Sequence, residues 1–169
     1  QEDITLQASG TLTSSDPDGT TGFIAVQGGA GIVGSKGYGH AHIDINGHWT
    51  YDLYNKHPIV QQLAQGQTVT ETITVESADG TPHDIIITIT GTNDLPTVSE
   101  KPQAGHVVGQ HSVDEDSGLN PAGQLIINDV DGDTTTVALD PAHSATYGHI
   151  VFDARSGTWV YHQIGRAHV

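Results

Sequence analysis

The chain has no cysteine and no methionine, and it has only five lysines and arginines against twenty aspartates and glutamates in 169 residues. Absence of cysteine excludes disulfides, thiolate nucleophiles and cysteine-ligated zinc or iron–sulfur sites. The formal charge of −15 makes a surface that repels nucleic acid and anionic membrane and favours cations. No apolar run approaches the ~20 residues needed to span a bilayer. Neither a signal peptide nor an initiator methionine is present, so the chain is expected to start inside a longer protein. Aromatics are few, but abundant Ile and Val in alternating patterns argue against disorder.

What is present is a duplication. Glu2-Asp3, Gly10-Thr11-Leu12 and Asp16-Pro17-Asp18-Gly19 return 113 positions later as Glu115-Asp116, Gly123-Gln124-Leu125 and Asp129-Val130-Asp131-Gly132. Tyr38-Gly39-His40, Asp44, Gly47, Trp49 and Tyr51 return 109 or 110 positions later as Tyr147-Gly148-His149, Asp153, Gly157, Trp159 and Tyr161. A period near a hundred residues is a whole small domain, far longer than the ~20–50 residues of a solenoid repeat. The expected organisation is a complete module over 1–94, linker and lead-in over 95–110, and the front part of a second module over 111–163. Residues 164–169 match nothing in the repeat. They fit the translated readthrough of a common sequencing adapter, and they are set aside as a scar.

The local pattern is β throughout. Short strands are expected at 4–7, 11–14 and 23–26, then a glycine-rich loop over 28–39. Strands at 42–45 and 49–53 flank the Asn46-Gly47-His48 turn, an Asn-Gly hairpin signal. Residues 68–76 alternate, with apolar side chains on one face, and Asp79-Gly80 turns the chain into a strand over 83–90 that places Ile85, Ile87 and Ile89 together. Only 58–65 reads as helix, with Pro58 at the start and Gly66 as the stop. Seven or so short strands with close turn signals predict an antiparallel Greek-key sandwich. Trp49 and Tyr51 share a face, as do Trp159 and Tyr161. Core packing is the ordinary reading of such pairs, and a carbohydrate-stacking platform is the alternative.

In combination the motifs resemble the VCBS repeat family, cadherin-like modules of very large bacterial surface proteins. The matching pieces are Ala8-Ser9-Gly10-Thr11-Leu12-Thr13, Ser15-Asp16-Pro17-Asp18-Gly19 and Asn46-Gly47-His48-Trp49-Thr50-Tyr51-Asp52-Leu53. Leu63-Ala64-Gln65-Gly66-Gln67-Thr68 and Ile87-Thr88-Ile89-Thr90-Gly91-Thr92-Asn93-Asp94 complete the set. The resemblance covers 2–94, and the front of the module again over about 111–162. It implies all-β, tandem Ig/cadherin-like antiparallel Greek-key β-sandwiches, the second truncated. It also implies a secreted, cell-surface adhesin segment in biofilm, with calcium between modules. The lead-in over 101–109 is longer than the family pattern, and eleven histidines are unusual for it.

The acidic motifs have a chemistry of their own. Two carboxylates one residue apart in a turn can converge on a hard cation, and calcium takes six to eight oxygen ligands. The expected junction site is Asn93, Asp94, Glu115, Asp116, Asp129 and Asp131, with Asp133 adding a third carboxylate. The matching set in the first module is Glu2, Asp3, Asp16 and Asp18, whose linker partner would belong to a preceding module. The competing reading is a plain Asx turn, which Asp and Gly favour without metal. No glutamate falls at the twelfth loop position, so this is not an EF-hand.

His40 and His42, with His48 across the hairpin, suggest a transition-metal site only weakly, since exposed strand histidines are the default. Gly28 to Gly34 lacks the strand–loop–helix setting of a dinucleotide loop. No nucleophile elbow or phosphate cradle occurs, so no catalytic role is expected. Expected partners are neighbouring modules and, in the adhesin or accessory-module readings, a surface polysaccharide or host ligand. The alternative function is a carbohydrate-binding accessory module of a secreted enzyme.

Overall fold

The computed structural model describes residues 3–102, 109–112, 120–132, 136–140 and 146–164. The chain divides into two compact units, Gln1–Asp94 and Leu95–Val169. Both are built from antiparallel strands, and the one described helix is a single turn.

Unit 1 begins with β1 (Gln7–Thr11), β2 (Ile32–Val33), β3 (Gly39–Ile43) and β4 (His48–Leu53). These form one sheet in the order β1-β4-β3-β2. A one-turn helix α1 (Pro58–Gln61) leads to β5 (Thr68–Glu76) and β6 (Pro82–Thr90), which pair over their full length as a second sheet. Alternation dictates what that hairpin buries. Ile73 and Val75 of β5 and Ile85, Ile87 and Ile89 of β6 point inward, while Ile86 points out at 71 % exposure. They meet Ala41, Ile43 and Tyr51 from the first sheet, Val60 from α1, and Phe23, Tyr38 and Leu63 in one shared core. Each buried aliphatic side chain contributes about 1.5–3 kcal/mol.

Several boundaries differ from the sequence expectation, each for a local reason. In place of the two strands expected at 4–7 and 11–14 there is one between them, β1, whose register against β4 runs from Gln7 opposite Asp52 to Thr11 opposite His48. The strand expected at 42–45 ends at Ile43, because Asp44 starts the turn. Its Oδ1 accepts the N–H groups of Asn46 (2.8 Å) and His48 (2.9 Å). Residues 23–26 form two isolated bridges instead of a strand. Phe23 pairs with Ser77 after β5, and Val26 pairs with Ile43 of β3, so this segment crosses from one sheet to the other. The glycine-rich stretch contains β2, which the sequence pattern did not mark. The helix expected over 58–65 is cut to four residues. Leu63 N–H bonds three residues back to Val60 O (3.2 Å), and Ala64 N–H turns to Gln67 Oε1 (3.1 Å), so the four-residue ladder is lost.

Unit 2 holds β7 (Thr97–Glu100), β8 (Ala122–Asn128), β9 (Gly148–Asp153) and β10 (Thr158–Gln163) in the order β7-β8-β10-β9. β7 lies within the stretch read from sequence as linker and pairs with β8. The order β8-β10-β9 repeats β1-β4-β3. Gly123 stands opposite Trp159 as Gly10 stands opposite Trp49, and Ile150 opposite Tyr161 as Ala41 opposite Tyr51.

The inward register of the β5–β6 hairpin has a direct test. Ile73→Ala is expected to cost about 2–5 kcal/mol in urea denaturation followed by circular dichroism. Ile86→Ala on the same hairpin is expected to cost no more than about 0.5 kcal/mol. Equal losses would contradict the assigned register.

Candidate functional site

Both Asp-x-Asp-Gly motifs form the same local turn. Asp18 N–H donates to Asp16 Oδ1 at 2.9 Å, and Asp131 N–H donates to Asp129 Oδ1 at 3.2 Å. The glycines serve different ends. Asp16 Oδ2 sits where a β-carbon on Gly19 would be, so that position needs close approach. Gly132 instead adopts φ +71°, with open space around it. Asp16 shares a shallow hollow with Ser14, Ser77, Asp79 and Thr81. Asp79 there is held below the usual carboxylate range by the Ser77 hydroxyl and by the Thr81 N–H and hydroxyl. The sequence reading treated Asp79 only as a turn residue.

Asp3 has a different attachment. Its backbone takes φ +57°, its N–H donates to Asn55 Oδ1 (3.0 Å), and its Oδ1 accepts from the amides of Asn55 (2.5 Å) and Gln61 (3.3 Å). It is thereby fixed to the loop before α1 and to α1 itself. Asn93 Nδ2 donates to Asp94 O at 2.8 Å, and these two residues close unit 1. Asp129 and Asp131 belong to unit 2. Glu2, Glu115, Asp116 and Asp133 lie outside the described residues. Among the described residues, no three His, Asp or Glu side chains are grouped to hold a metal ion. The donor chemistry of the acidic turns, oxygen only, still suits calcium over a transition metal. In the Asp16 turn one carboxylate oxygen is used by the backbone and the second remains an acceptor.

The histidines are separately engaged. His40 and His42 lie on one face of β3 with ring centroids 5.3 Å apart, but His40 stacks on Tyr54. His42 Nδ1 approaches Val26 O at 3.3 Å. His48 Nδ1 lies 3.1 Å from Asp44 Oδ2. In unit 2, His149 stacks on His162.

The most constrained chemistry is inside unit 1. Glu71 is 2 % exposed, on the inward face of β5 between Val69 and Ile73. Its carboxyl accepts the Tyr51 hydroxyl in a short hydrogen bond through Oε1. Oε2 accepts the N–H groups of Tyr38 (3.2 Å) and Lys36 (3.4 Å). The same carboxyl occupies the space a β-carbon on Gly34 would need. Tyr51 in turn lies over Gly39, where a β-carbon would collide with its ring. Burial, then the hydrogen bond and negative field of Glu71, push the Tyr51 hydroxyl far above the ordinary tyrosine range. One sequence signal for this pair was available: a glutamate at an inward position of an otherwise apolar face.

Unit 2 repeats half of this arrangement. Gly148 lies under the Tyr161 ring and Gly123 under Trp159, as Gly39 lies under Tyr51 and Gly10 under Trp49. The hairpin turns match as well. Asp44 is held below the carboxylate range: desolvation, the largest single influence, raises it and is outweighed together by the N–H groups of His48 and Asn46 and by the His48 ring. Asp153 is held low by the Ser156 hydroxyl and the Arg155 N–H. Leu12 N–H bonds Gly47 O (2.9 Å), and Leu125 N–H bonds Gly157 O (2.8 Å). Comparison of the chain with known protein families and with curated proteins finds no match.

The raised Tyr51 gives a pH dependence with a definite sign. Its stabilisation is complete below the unfolded tyrosine value near ~10 and is lost as pH rises from there toward the folded value, at up to about 1.4 kcal/mol per pH unit. Alkaline unfolding followed at fixed urea should therefore show this limb, and Tyr51→Phe should flatten it. A Tyr51→Phe variant with the unchanged alkaline slope would remove the assignment.

Proposed function

We propose that this chain is a non-catalytic segment of a tandem array, two successive copies of an Ig/cadherin-like Greek-key β-sandwich module of the VCBS type. In this reading it acts in a secreted bacterial surface adhesin, as a calcium-stiffened spacer in cell adhesion and biofilm. The observation that carries the reading is the repeated internal geometry: the same glycines lie under the same tryptophan and tyrosine, in the same strand register, in both units. Duplication of a packing solution, with no second copy of any reactive constellation among the described residues, suits a structural repeat better than an enzyme.

The acidic turns give the array a means of stiffening. With a formal charge of −15, neighbouring modules repel, and a divalent cation held by carboxylate and amide oxygens offsets that repulsion where it binds. Asn93, Asp94, Asp129 and Asp131, with Glu115, Asp116 and Asp133, are the residues this reading assigns to the junction. Glu2, Asp3, Asp16 and Asp18 are their counterparts one module earlier. The partners are then neighbouring modules, with a surface polysaccharide or host ligand bound elsewhere in the parent protein. The carbohydrate-module alternative needs flat exposed aromatics. It draws less support, because Trp49 is packed against the unit 1 core and Trp159 against Gly123 and His111.

Calorimetry tests the proposal. Millimolar calcium is expected to raise the melting temperature, magnesium to raise it less, and chelator to reverse the shift. Asp129→Asn with Asp131→Asn should reduce the calcium shift while leaving the metal-free transition nearly unchanged. Superimposable curves with chelator and with calcium would sink the calcium assignment.

A further inference from the structure

The two units differ most where they should be most alike. Tyr38, Ala41 and Ile43 in and beside β3 are 8 %, 1 % and 1 % exposed. Their counterparts 109 positions on are Tyr147, which is 81 % exposed, Ile150, which is 41 % exposed, and Phe152, which is half-buried. Tyr51 is 2 % exposed and bonded to Glu71, whereas Tyr161 is half-buried and its hydroxyl meets no partner among the described residues. All the buried hydrophobic residues among those described belong to unit 1, and the only fully buried described residues of unit 2 are Gly123, Gly148 and Gly157. In unit 1 the covering element is the β5–β6 hairpin, which brings Ile73, Val75, Ile85, Ile87 and Ile89 into one core with Ala41, Ile43 and Tyr51. Unit 2 presents the matching sheet face, with the glycine slot under its tyrosine already formed, and no such hairpin is described over it.

We infer that the β9–β10 face of unit 2 is a docking surface for a β-hairpin of β5–β6 chemistry. The occupant carries aliphatic residues at alternate positions of both strands and one glutamate placed to accept the Tyr161 hydroxyl. Gly148 and Tyr161 reproduce the Gly39 and Tyr51 arrangement, which in unit 1 is completed by Glu71. The glutamate gives the site its selectivity. A buried tyrosine hydroxyl without an acceptor is unfavourable, so a hairpin with an aliphatic residue at that place docks less well. At the other end of the face the Trp159 ring is met edge-on by His111, whose Nε2 lies 2.6 Å from Glu100 Oε1. The hairpin therefore seats at the Tyr147, Ile150 and Tyr161 end. This inference rests on reading the units as copies of one module and is independent of calcium, so it and the calorimetric proposal fail separately.

The test keeps the full chain and tethers a second copy of residues 66–91 behind Val169 through a flexible glycine–serine linker, which raises its effective concentration to about millimolar. Amide exchange in β9 and β10 is expected to slow roughly tenfold or more, and Tyr147 to become protected from tetranitromethane. Replacing the tethered glutamate equivalent to Glu71 by lysine, or Tyr161→Phe in the chain, should weaken that protection without altering exchange in the untethered chain. Unchanged exchange in β9 and β10 would overturn the inference. So would equal protection from a tethered hairpin whose inward residues are all threonine. A chain that sediments as a dimer with Tyr147 shielded and no hairpin added would assign the face to a second copy instead.

Discussion

Unit 1 is organised around one buried carboxyl. Placing Glu71 in an apolar interior costs several kcal/mol unless every oxygen finds a donor, and here the donors come from distant parts of the chain. Tyr51 supplies its hydroxyl from β4, and Tyr38 and Lys36 supply backbone N–H groups from the loop ahead of β3. The loop can approach only because residue 34 is glycine, and β3 can slide beneath the tyrosine only because residue 39 is glycine. Strand β4 and the loop ahead of β3 are thus both tied to a single side chain of the opposite sheet. The aliphatic residues around it supply most of the burial, and the carboxyl determines which arrangement of them is allowed.

That constraint also explains why the duplication is faithful in some places and loose in others. The glycines beneath Trp49 and Tyr51 recur beneath Trp159 and Tyr161 because ring and backbone meet without room for a β-carbon. Side chains that face the β5–β6 hairpin change more freely: Ala41 becomes Ile150 and Ile43 becomes Phe152. The larger residues give unit 2 a bulkier face than unit 1. Its β7 strand is an addition without a described counterpart in the β1-β4-β3-β2 sheet, pairing along the outer edge of β8. The edge of the sheet is thereby moved from β8 to the four-residue β7, and a short edge strand offers less backbone for pairing with another chain.

Much of the β architecture was legible in the chain, because period-2 alternation over 68–76 and 83–90 has only one physical reading once Asp79-Gly80 turns between them. The Asn46-Gly47 hairpin was equally plain, and Gly47 indeed takes a positive φ of +83°. Failures came where register across strands overrides local pattern. β1 and β3 are placed by their pairing with β4, and the Asp44 carboxylate, by capping the turn, moves the end of β3 back two residues from the expected Ile45. β2 was hidden because two residues among glycines carry no periodic signal. Glu71 was visible in the alternation but was not read as the centre of the core, since a sequence does not show which distant hydroxyl and amides reach it. The metal assignment stays a proposal for the same reason: ligands drawn from several loops are set by tertiary placement, not spacing.

The acidic turns carry a final consequence for how a cation could act. In both copies the first aspartate already closes the turn by accepting the N–H two residues on, so the loop has its shape without metal. The first turn is further held by close contact between the Asp16 carboxylate and Gly19, the second by the left-handed backbone of Gly132. A turn completed by its own amide does not need a cation to fold, unlike a small domain whose core is the metal site. A cation bound there would offset the repulsion between the carboxylates and add the free energy of its own binding to a turn that is already formed. Unit 1, with its core closed around Glu71, is the part least in need of that help.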